Sequence, residues 1–304
     1  MSLHTSTAPL QYGAVIGEGG MGVILEARQA HLKRTIAVKR LHRERSNSRS
    51  VRALLAEARI TGAVAHPCVV PVHDLGIGDD GQPEIRLKRI EGRPWTHLLR
   101  NPGLLLQLHN PDDILAFHVQ VLIRVCEAVQ AAHSRLIIHR DLKPGNVMIG
   151  KLGEVYLLDW GLAATLDPSA DPRLPRPSAN GGGTPQYMAP EMVSNSFGDL
   201  GPCSDVYLLG GLLFYILNGR APHPGATSWN MLVEACEKQV PVPNNGPQEL
   251  VELCKRALRR VPTERLRSAD ALRNGLQTWL DHRASATLAE EGLYNADLLV
   301  DDIQ

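Results

Sequence analysis

The sequence changes character near residue 90, and this change constrains the fold more than any other feature. Over residues 10–90, short apolar runs rich in β-branched residues are broken by glycine, which is typical of strands. Only residues 49–63 there have apolar side chains at helical spacing. Past Gly92 the stretches are longer and helical, as over residues 112–134. We predict an α+β chain with a small β-rich lobe containing one key helix and a larger, mainly helical lobe.

The boundaries follow from the same pattern. We expect a disordered N-terminal tail over residues 1–10, a small lobe over 11–90 and a large lobe over 91–283. Residues 284–304 would form a C-terminal tail or the start of a following segment. A length of 304 residues suits two such lobes.

Composition restricts the partners and the compartment. Lys plus Arg number 32, as do Asp plus Glu, and this neutral balance is against a nucleic-acid binder. The five cysteines include no CxxC pair, which favours reduced thiols and a cytoplasmic location. The longest unbroken apolar stretch, residues 206–217, is too short for a bilayer of about 30 Å. We therefore expect no nucleic acid and no membrane span.

A glycine motif stands near the start of the small lobe. Gly17, Gly19 and Gly22 have GxGxxG spacing, which lets backbone N–H groups approach phosphate oxygens. The spacing alone also fits a dinucleotide-binding fold or a simple glycine-rich turn. A dinucleotide site requires a helix next, whereas Val23 and Ile24 indicate a strand. We therefore favour a glycine flap between two strands.

Three further motifs carry side chains suited to phosphate chemistry. Lys39 ends an apolar strand, and Glu57 lies on the helix that follows, so the two can pair beside a phosphate. The segment His139-Arg140-Asp141-Leu142-Lys143-Pro144-Gly145-Asn146 supplies a proton acceptor, a cation and an amide oxygen. Asp159 follows a β segment one hairpin later and offers a carboxylate to Mg²⁺.

The chain carries two more motifs, over residues 183–191 and 204–210. With the preceding motifs they resemble, in order, the bacterial eukaryotic-like Ser/Thr protein kinases over about residues 11–283. The resemblance implies a bilobal protein kinase fold that uses ATP and Mg²⁺. It implies protein substrates with Ser or Thr hydroxyls, a role in bacterial signalling, and autophosphorylation in trans.

The resemblance also assigns roles to residues. The catalytic residues would be Asp141 as base, with Lys143, Lys39 and Glu57. Asn146 and Asp159 would hold the metal. The nucleotide site would consist of glycines over the phosphates, an apolar roof and floor around adenine, a gatekeeper at Leu87 and a hinge over residues 88–90. Its residues would be Ile16, Gly17, Gly19, Gly22, Ile24, Ala37, Lys39, Leu87, Lys88, Ile90 and Met148.

Other positions are expected to support this site. The resemblance implies an ion pair between Glu191 and Arg265, and an anchoring role for Asp205 beneath the catalytic loop, which is the segment of residues 139–146. In the family, the arginine at position 140 often meets a phosphate on the activation loop, or activation segment, which here covers residues 159–191. We take the hydroxyl of Ser178 as the first candidate for that phosphate.

The sequence departs from the family in two places. Trp160 stands where phenylalanine is usual, and we hypothesise that Thr61, one helical turn after Glu57, makes room for the indole. The hinge carries Lys88 and Arg89 where acidic or apolar residues are more frequent. We expect both side chains to point to solvent while the backbone binds adenine.

Two alternatives remain open. A pseudokinase would use the same fold as a scaffold or binding module, and its usual mark is loss of a catalytic residue. A small-molecule kinase, such as an antibiotic phosphotransferase, would usually lack the motifs at residues 183–191 and 204–210.

Overall fold

A computed structural model describes residues 10–19, 22–178, 182–194, 196 and 198–301, with side chains as far as residue 285. The elements of the small lobe are β1 (Gln11–Glu18), β2 (Gly22–Gln29), β3 (Arg34–Leu41), α1 (Ser48–Ala63), β4 (Val72–Ile77) and β5 (Pro83–Lys88). The large lobe contains β6 (Gly92–Pro94), α2 (Trp95–Arg100), α3 (Pro102–His109), α4 (Ile114–His133), β7 (Ile137–Ile138), β8 (Val147–Gly150), β9 (Val155–Leu157), β10 (Ala164–Thr165), α5 (Pro190–Val193), α6 (Pro202–Asn218), α7 (Ser228–Glu237), α8 (Gln248–Ala257) and α9 (Ala269–Asp301).

The small lobe is an antiparallel sheet with the strand order β1-β2-β3-β5-β4 and one helix, α1, packed against it. Leu54 and Ala58 of α1 form a buried cluster with Leu41 and Ile85 of the sheet. Because side chains alternate across a strand, Lys39 and Leu41 leave the same face of β3. The packing that holds α1 therefore also directs Lys39 towards this helix.

The other face of the sheet is covered by the chain before β1. Leu10 is buried and packs with Ala27, Ile36 and Val38. The predicted tail boundary is therefore wrong for Leu10, because its apolar side chain is needed on this face. The rest of the predicted tail, residues 1–9, lies outside the described residues.

Local capping fixes where the main helices begin and end. Asn47 precedes α1 and accepts hydrogen bonds from two N–H groups of its first turn. Asp113 caps α4 in the same way, through the N–H of Ala116. Gly219 caps the C-terminus of α6, and its φ of 69° is a left-handed conformation that suits glycine.

The core of the large lobe is formed by helices α4, α6, α8 and α9. Leu122 of α4, Leu209 of α6, Leu250 of α8 and Leu276 of α9 are fully buried in one cluster. By length and composition alone α4 could also cross a bilayer, but half of its most apolar window is buried within this lobe. Its packing is that of a core helix.

Two small β structures carry the loops that contain the acidic motifs. Strands β6, β8 and β9 form an antiparallel sheet, and β7 pairs with β10. The loop of residues 139–146 follows β7, and residues 158–161 follow β9, so the hairpin between them returns the chain to the same edge. The predicted two-lobed α+β arrangement is confirmed. Helix α9 continues through the predicted boundary at residue 283.

Candidate active site

An ion pair joins β3 to α1 in the cleft between the lobes. Lys39 Nζ lies 2.5 Å from Glu57 Oε1 and 3.4 Å from Asp159 Oδ1. Burial opposes the positive charge, but the two carboxylates outweigh it and raise the pKa of Lys39. The predicted pair is present, and its ammonium also meets the carboxylate that we predict to hold metal.

Asp141 lies at the centre of a hydrogen-bond cluster. Its Oδ2 accepts hydrogen bonds from Lys143 Nζ at 2.8 Å and from Asn146 Nδ2 at 3.0 Å. Its Oδ1 accepts one from the hydroxyl of Thr184 at 2.7 Å. Lys143 Nζ also donates to this hydroxyl at 2.7 Å. A hydroxyl oxygen therefore fits at hydrogen-bond distance from both the carboxylate and the ammonium.

The predicted metal ligands present suitable oxygen atoms. The Nδ2 of Asn146 also donates to the carbonyl of Asp141 at 2.8 Å, while its Oδ1 accepts no hydrogen bond from the described residues. Burial opposes ionisation of Asp159, but Lys39 and His139 lower its pKa. An amide and a carboxylate oxygen suit Mg²⁺, so these residues fit the ion. No cluster of three His, Cys, Asp or Glu ligands occurs in the described parts of the chain, so nucleotide or water oxygens would complete the coordination.

Asp205 on α6 anchors the catalytic loop from beneath. Its Oδ1 accepts a hydrogen bond from Arg140 N, and its Oδ2 accepts one from His139 N, each at 2.8 Å. The ring of His133 binds the same Oδ2 at 2.8 Å. Burial opposes ionisation, but these hydrogen bonds lower the pKa of Asp205. The predicted anchor is confirmed, while His133 was missed because nothing in the pattern of α4 distinguishes it.

Arg140 reaches the activation loop. Its Nη2 donates to the carbonyl of Ser178 at 3.0 Å, and its Nη1 donates to the carbonyl of Leu162 at 3.4 Å. The guanidinium predicted to receive a phosphate therefore holds two backbone carbonyls of that loop. Modification of Ser178 stays a prediction.

The residue after Asp159 is a buried indole. Trp160 is 1% exposed, and its ring centre lies 4.6 Å from that of His139. Its Nε1 has no hydrogen-bond partner among the described residues. Thr61 is also buried, and its hydroxyl donates to the carbonyl of Glu57 at 2.7 Å. Whether Thr61 makes room for the indole stays a prediction.

The glycine flap is a hairpin of β1 and β2. Gly17 pairs with Ile24, and Gly19 N donates to the carbonyl of Gly22 at 2.9 Å. A Cβ on Gly22 would lie 1.9 Å from the carbonyl oxygen of Arg40, so only glycine fits there. Because a strand rather than a helix follows, the dinucleotide alternative is wrong.

Residues predicted to enclose adenine come from both lobes. Ala37 of β3 pairs with Leu87 of β5, so the roof and the gatekeeper are neighbours in the sheet. Ile16 lies in β1 and is 47% exposed. Met148 is half-buried in β8 of the large lobe. Their contacts with a nucleotide stay predictions.

We expected the side chains of Lys88 and Arg89 to point to solvent, but both contact other residues of the chain. Lys88 Nζ donates to Tyr156 OH at 2.5 Å and lies 4.7 Å from the centre of that ring. Arg89 Nε lies 2.6 Å from Glu26 Oε2. The partners are distant in sequence and meet only in the folded chain, and neither sequence spacing nor the family pattern indicates them.

The predicted pair in the large lobe is also present. Arg265 Nη1 and Nη2 donate to the two carboxylate oxygens of Glu191 at 2.6 and 2.8 Å, with both side chains fully buried. This bidentate pair ties the end of the activation segment to the chain before α9.

Comparison with known proteins places the chain in one family. A family model described as protein kinase domain matches residues 10–276. Serine/threonine-protein kinase PknA of Mycobacterium tuberculosis is 32% identical over 84% of this chain and 57% of its own length. A probable serine/threonine-protein kinase of Corynebacterium efficiens is 32% identical over 79% of this chain and 35% of its own length. Serine/threonine-protein kinase pkn3 of Myxococcus xanthus is 31% identical over 87% of this chain and 48% of its own length.

The chain thus spans between about a third and somewhat over half of the length of these relatives. The matched region contains both lobes and every residue of the cleft described above. The chain belongs to the protein kinase domain family, with bacterial Ser/Thr protein kinases as relatives.

Proposed function

We propose that this chain is an ATP- and Mg²⁺-dependent kinase that phosphorylates serine and threonine hydroxyls of proteins. The observation that carries the proposal is the Lys39 ammonium, 2.5 Å from Glu57 and 3.4 Å from Asp159. This contact joins a strand, a helix and a loop across the cleft. A cation held in this way suits the α- and β-phosphates of ATP.

The surrounding side chains can perform the transfer. Asp141 would orient the substrate hydroxyl and accept its proton, since its carboxylate already accepts a hydrogen bond from an alcohol at 2.7 Å. Lys143, 2.8 Å from that carboxylate, would offset the charge on the transferred group. Mg²⁺ bound at Asn146 and Asp159 would supply positive charge to the phosphate oxygens.

The proposal that proteins are the substrates rests on the segment of residues 183–191, which lies beside Asp141. Thr184 hydrogen-bonds to both Asp141 and Lys143, so the activation segment closes on the catalytic loop. The relatives' names support serine and threonine as acceptors. We propose that the chain acts in bacterial signalling, autophosphorylates in trans and works in the cytoplasm, where ATP is available and its free cysteines stay reduced.

A pseudokinase is disfavoured because Lys39, Glu57, Asp141, Asn146 and Asp159 are all present. A small-molecule kinase is disfavoured by the motif at residues 183–191, whose Thr184 contacts the base and whose Glu191 is bound by Arg265.

The test is phosphate transfer from labelled ATP to a generic basic protein and to the chain itself, with mapping of the modified residues. We expect Mg²⁺-dependent labelling of Ser and Thr, reduced by about 10²- to 10⁴-fold in Asp141→Asn. Autophosphorylation in trans would make the rate per molecule rise with protein concentration. Equal labelling by the wild-type chain and Asp141→Asn, or none by either, would contradict the proposal.

A further inference from the structure

The hinge carries a row of alternating charges. Arg89 Nε forms an ion pair with Glu26 Oε2 at 2.6 Å, although its N–H is not aligned for a hydrogen bond, and Arg89 Nη1 donates to Glu91 Oε1 at 2.8 Å. On its other side, Glu91 Oε2 accepts a hydrogen bond from Lys151 Nζ at 2.7 Å. We refer to Glu26, Arg89, Glu91 and Lys151 as the hinge ladder. Each inner member contacts a neighbour on both sides.

The two ends of the hinge ladder belong to different lobes. Glu26 lies on β2 two residues after Ile24, so both side chains leave the same face of the strand. Ile24 is a predicted roof residue of the nucleotide site. Lys151 follows β8, the strand of the predicted floor residue Met148. The hinge ladder therefore runs from the roof strand, through the hinge, to the floor strand.

The exposure of these side chains determines what they can do. Arg89 and Glu26 are 29% and 36% exposed, whereas Glu91 and Lys151 are 56% and 74% exposed. Exposed ion pairs add little to overall stability and are screened by salt. Pairs that bridge two lobes act on the angle between the lobes instead. That angle sets how firmly a ligand between roof and floor is retained.

We propose that Arg89 is a positioning residue for the nucleotide, which it retains by linking the roof strand to the floor strand through the hinge ladder. This inference rests on the proposed function, because it requires that ADP and ATP bind in the cleft. It makes nucleotide release dependent on ionic strength. The backbone of the hinge remains the part that meets adenine, and Arg89 acts through the orientation of the lobes.

The test measures release of a fluorescent ADP analogue with Mg²⁺ by stopped flow, between about 0.02 M and about 0.5 M salt. In Arg89→Gln we expect release about threefold to tenfold faster at low salt. Wild-type release should accelerate with salt, while that of the variant should change little. Arg93→Gln is the matched control, since the described residues offer this exposed arginine no ion pair. Unfolding temperatures of both variants are compared with wild type.

Glu26→Gln and the double variant Glu26→Gln/Arg89→Gln test whether the two residues act together in the hinge ladder or independently of each other. The double variant should release the analogue no faster than Arg89→Gln alone. Three results would overturn this inference without affecting the proposed function. They are release from Arg89→Gln at the wild-type rate, an equal effect of Arg93→Gln, and additive effects of Glu26→Gln and Arg89→Gln. Failure of the wild-type chain to bind the analogue would instead remove the proposed function as well.

Discussion

At the scale of single residues, two backbone conformations shape the site. Asp159 has φ of 57° and Arg140 has φ of 71°, both in the left-handed region that non-glycine residues rarely adopt. Such conformations cost of order 1–3 kcal/mol each and persist where surrounding contacts fix them. Here Asp205 accepts the N–H of Arg140, and Lys39 contacts the carboxylate of Asp159. The identities of these residues are predictable from sequence, but their strained conformations are not.

Thr61 tests how tightly α1 is packed behind Glu57. The side chain is 5% exposed, so Thr61→Leu adds bulk to a filled space at a cost of about 1–3 kcal/mol. We expect displacement of Glu57 and a loss of about tenfold in kcat/KM for ATP, equivalent to ~1.4 kcal/mol. Steady-state phosphate transfer checks this, with Thr61→Val as the control that removes the hydroxyl without adding bulk. Undiminished turnover in Thr61→Leu would show that the size of the side chain at position 61 does not control the position of Glu57.

At the scale of elements, the β1–β2 hairpin offers a matched pair of glycines. A Cβ at Gly22 would lie 1.9 Å from a backbone oxygen of β3, whereas a Cβ at Gly19 would have no atom of the described residues within 4 Å. We expect Gly22→Ala to destabilise the chain by about 1–3 kcal/mol. Gly19→Ala should stay within about 0.5 kcal/mol of wild type. Urea unfolding measures both, and equal midpoints for the two variants would contradict the strand geometry.

The pair between Glu191 and Arg265 links α5 to the segment before α9. Both side chains are fully buried, so Arg265→Met leaves an unpaired buried carboxylate at a cost of about 3–5 kcal/mol. The exposed neighbour Arg267 provides the control, and Arg267→Met should change stability by no more than about 0.5 kcal/mol. The urea concentration at the unfolding midpoint of each variant measures the loss of stability. Similar midpoints would show that the pair has no net structural role.

The elements differ in how far sequence alone predicts them. The pattern predicts a helix over residues 49–63, and the structure has Ser48–Ala63, because the apolar side chains follow helical spacing and Asn47 caps the N-terminus. Helices α2 and α3 are missed, since each is too short to establish a period and Pro102 separates them. Their stability comes from burial of Trp95, Leu98 and Leu105, which depends on the tertiary fold.

The contacts of the candidate site also differ in how far the sequence predicts them. Residue types and spacing predict the Lys39–Glu57 pair and place Asp141, Asn146 and Asp159 in one cleft. They do not predict the contacts of Lys88 with Tyr156 or of Arg89 with Glu26. Those contacts join positions far apart in sequence, and only strand register and the path of the hinge bring them together.

At the scale of the whole molecule, a buried histidine makes stability depend on pH. Burial lowers the pKa of His118 from 6.5 to about 4, and its Nδ1 accepts a hydrogen bond from Trp95 Nε1 at 3.1 Å. Because the unfolded chain binds the proton more tightly, stability is fully present above pH 6.5 and is lost as pH falls towards 4. We expect His118 to account for a loss of about 3 kcal/mol across this window.

Urea midpoints at several pH values measure this effect. His118→Asn keeps an acceptor but cannot gain the proton, so its midpoint should fall less steeply with pH. His97, which is exposed, supplies the control His97→Asn, whose profile should follow wild type. Identical pH profiles for wild type and His118→Asn would show that folding does not lower the pKa of His118, and would contradict the expectation.

The two lobes matter together because each supplies only part of the site. The small lobe provides the glycine flap, Lys39 and Glu57, and the large lobe provides Asp141, Asn146 and Asp159. Neither set can bind a metal–nucleotide complex and activate a hydroxyl alone. The central claim is that these side chains converge on one bound nucleotide.

A crystal structure with Mg²⁺ and a non-hydrolysable ATP analogue tests this claim most directly. We predict a metal ion bound by Asn146 Oδ1 and the Asp159 carboxylate at about 2.0–2.1 Å, with Lys39 Nζ at the α- and β-phosphates and Glu57 still paired. Asp141 should face the γ-phosphate without binding the metal. A nucleotide bound outside this cleft, or a metal that neither Asn146 nor Asp159 ligates, would contradict the account.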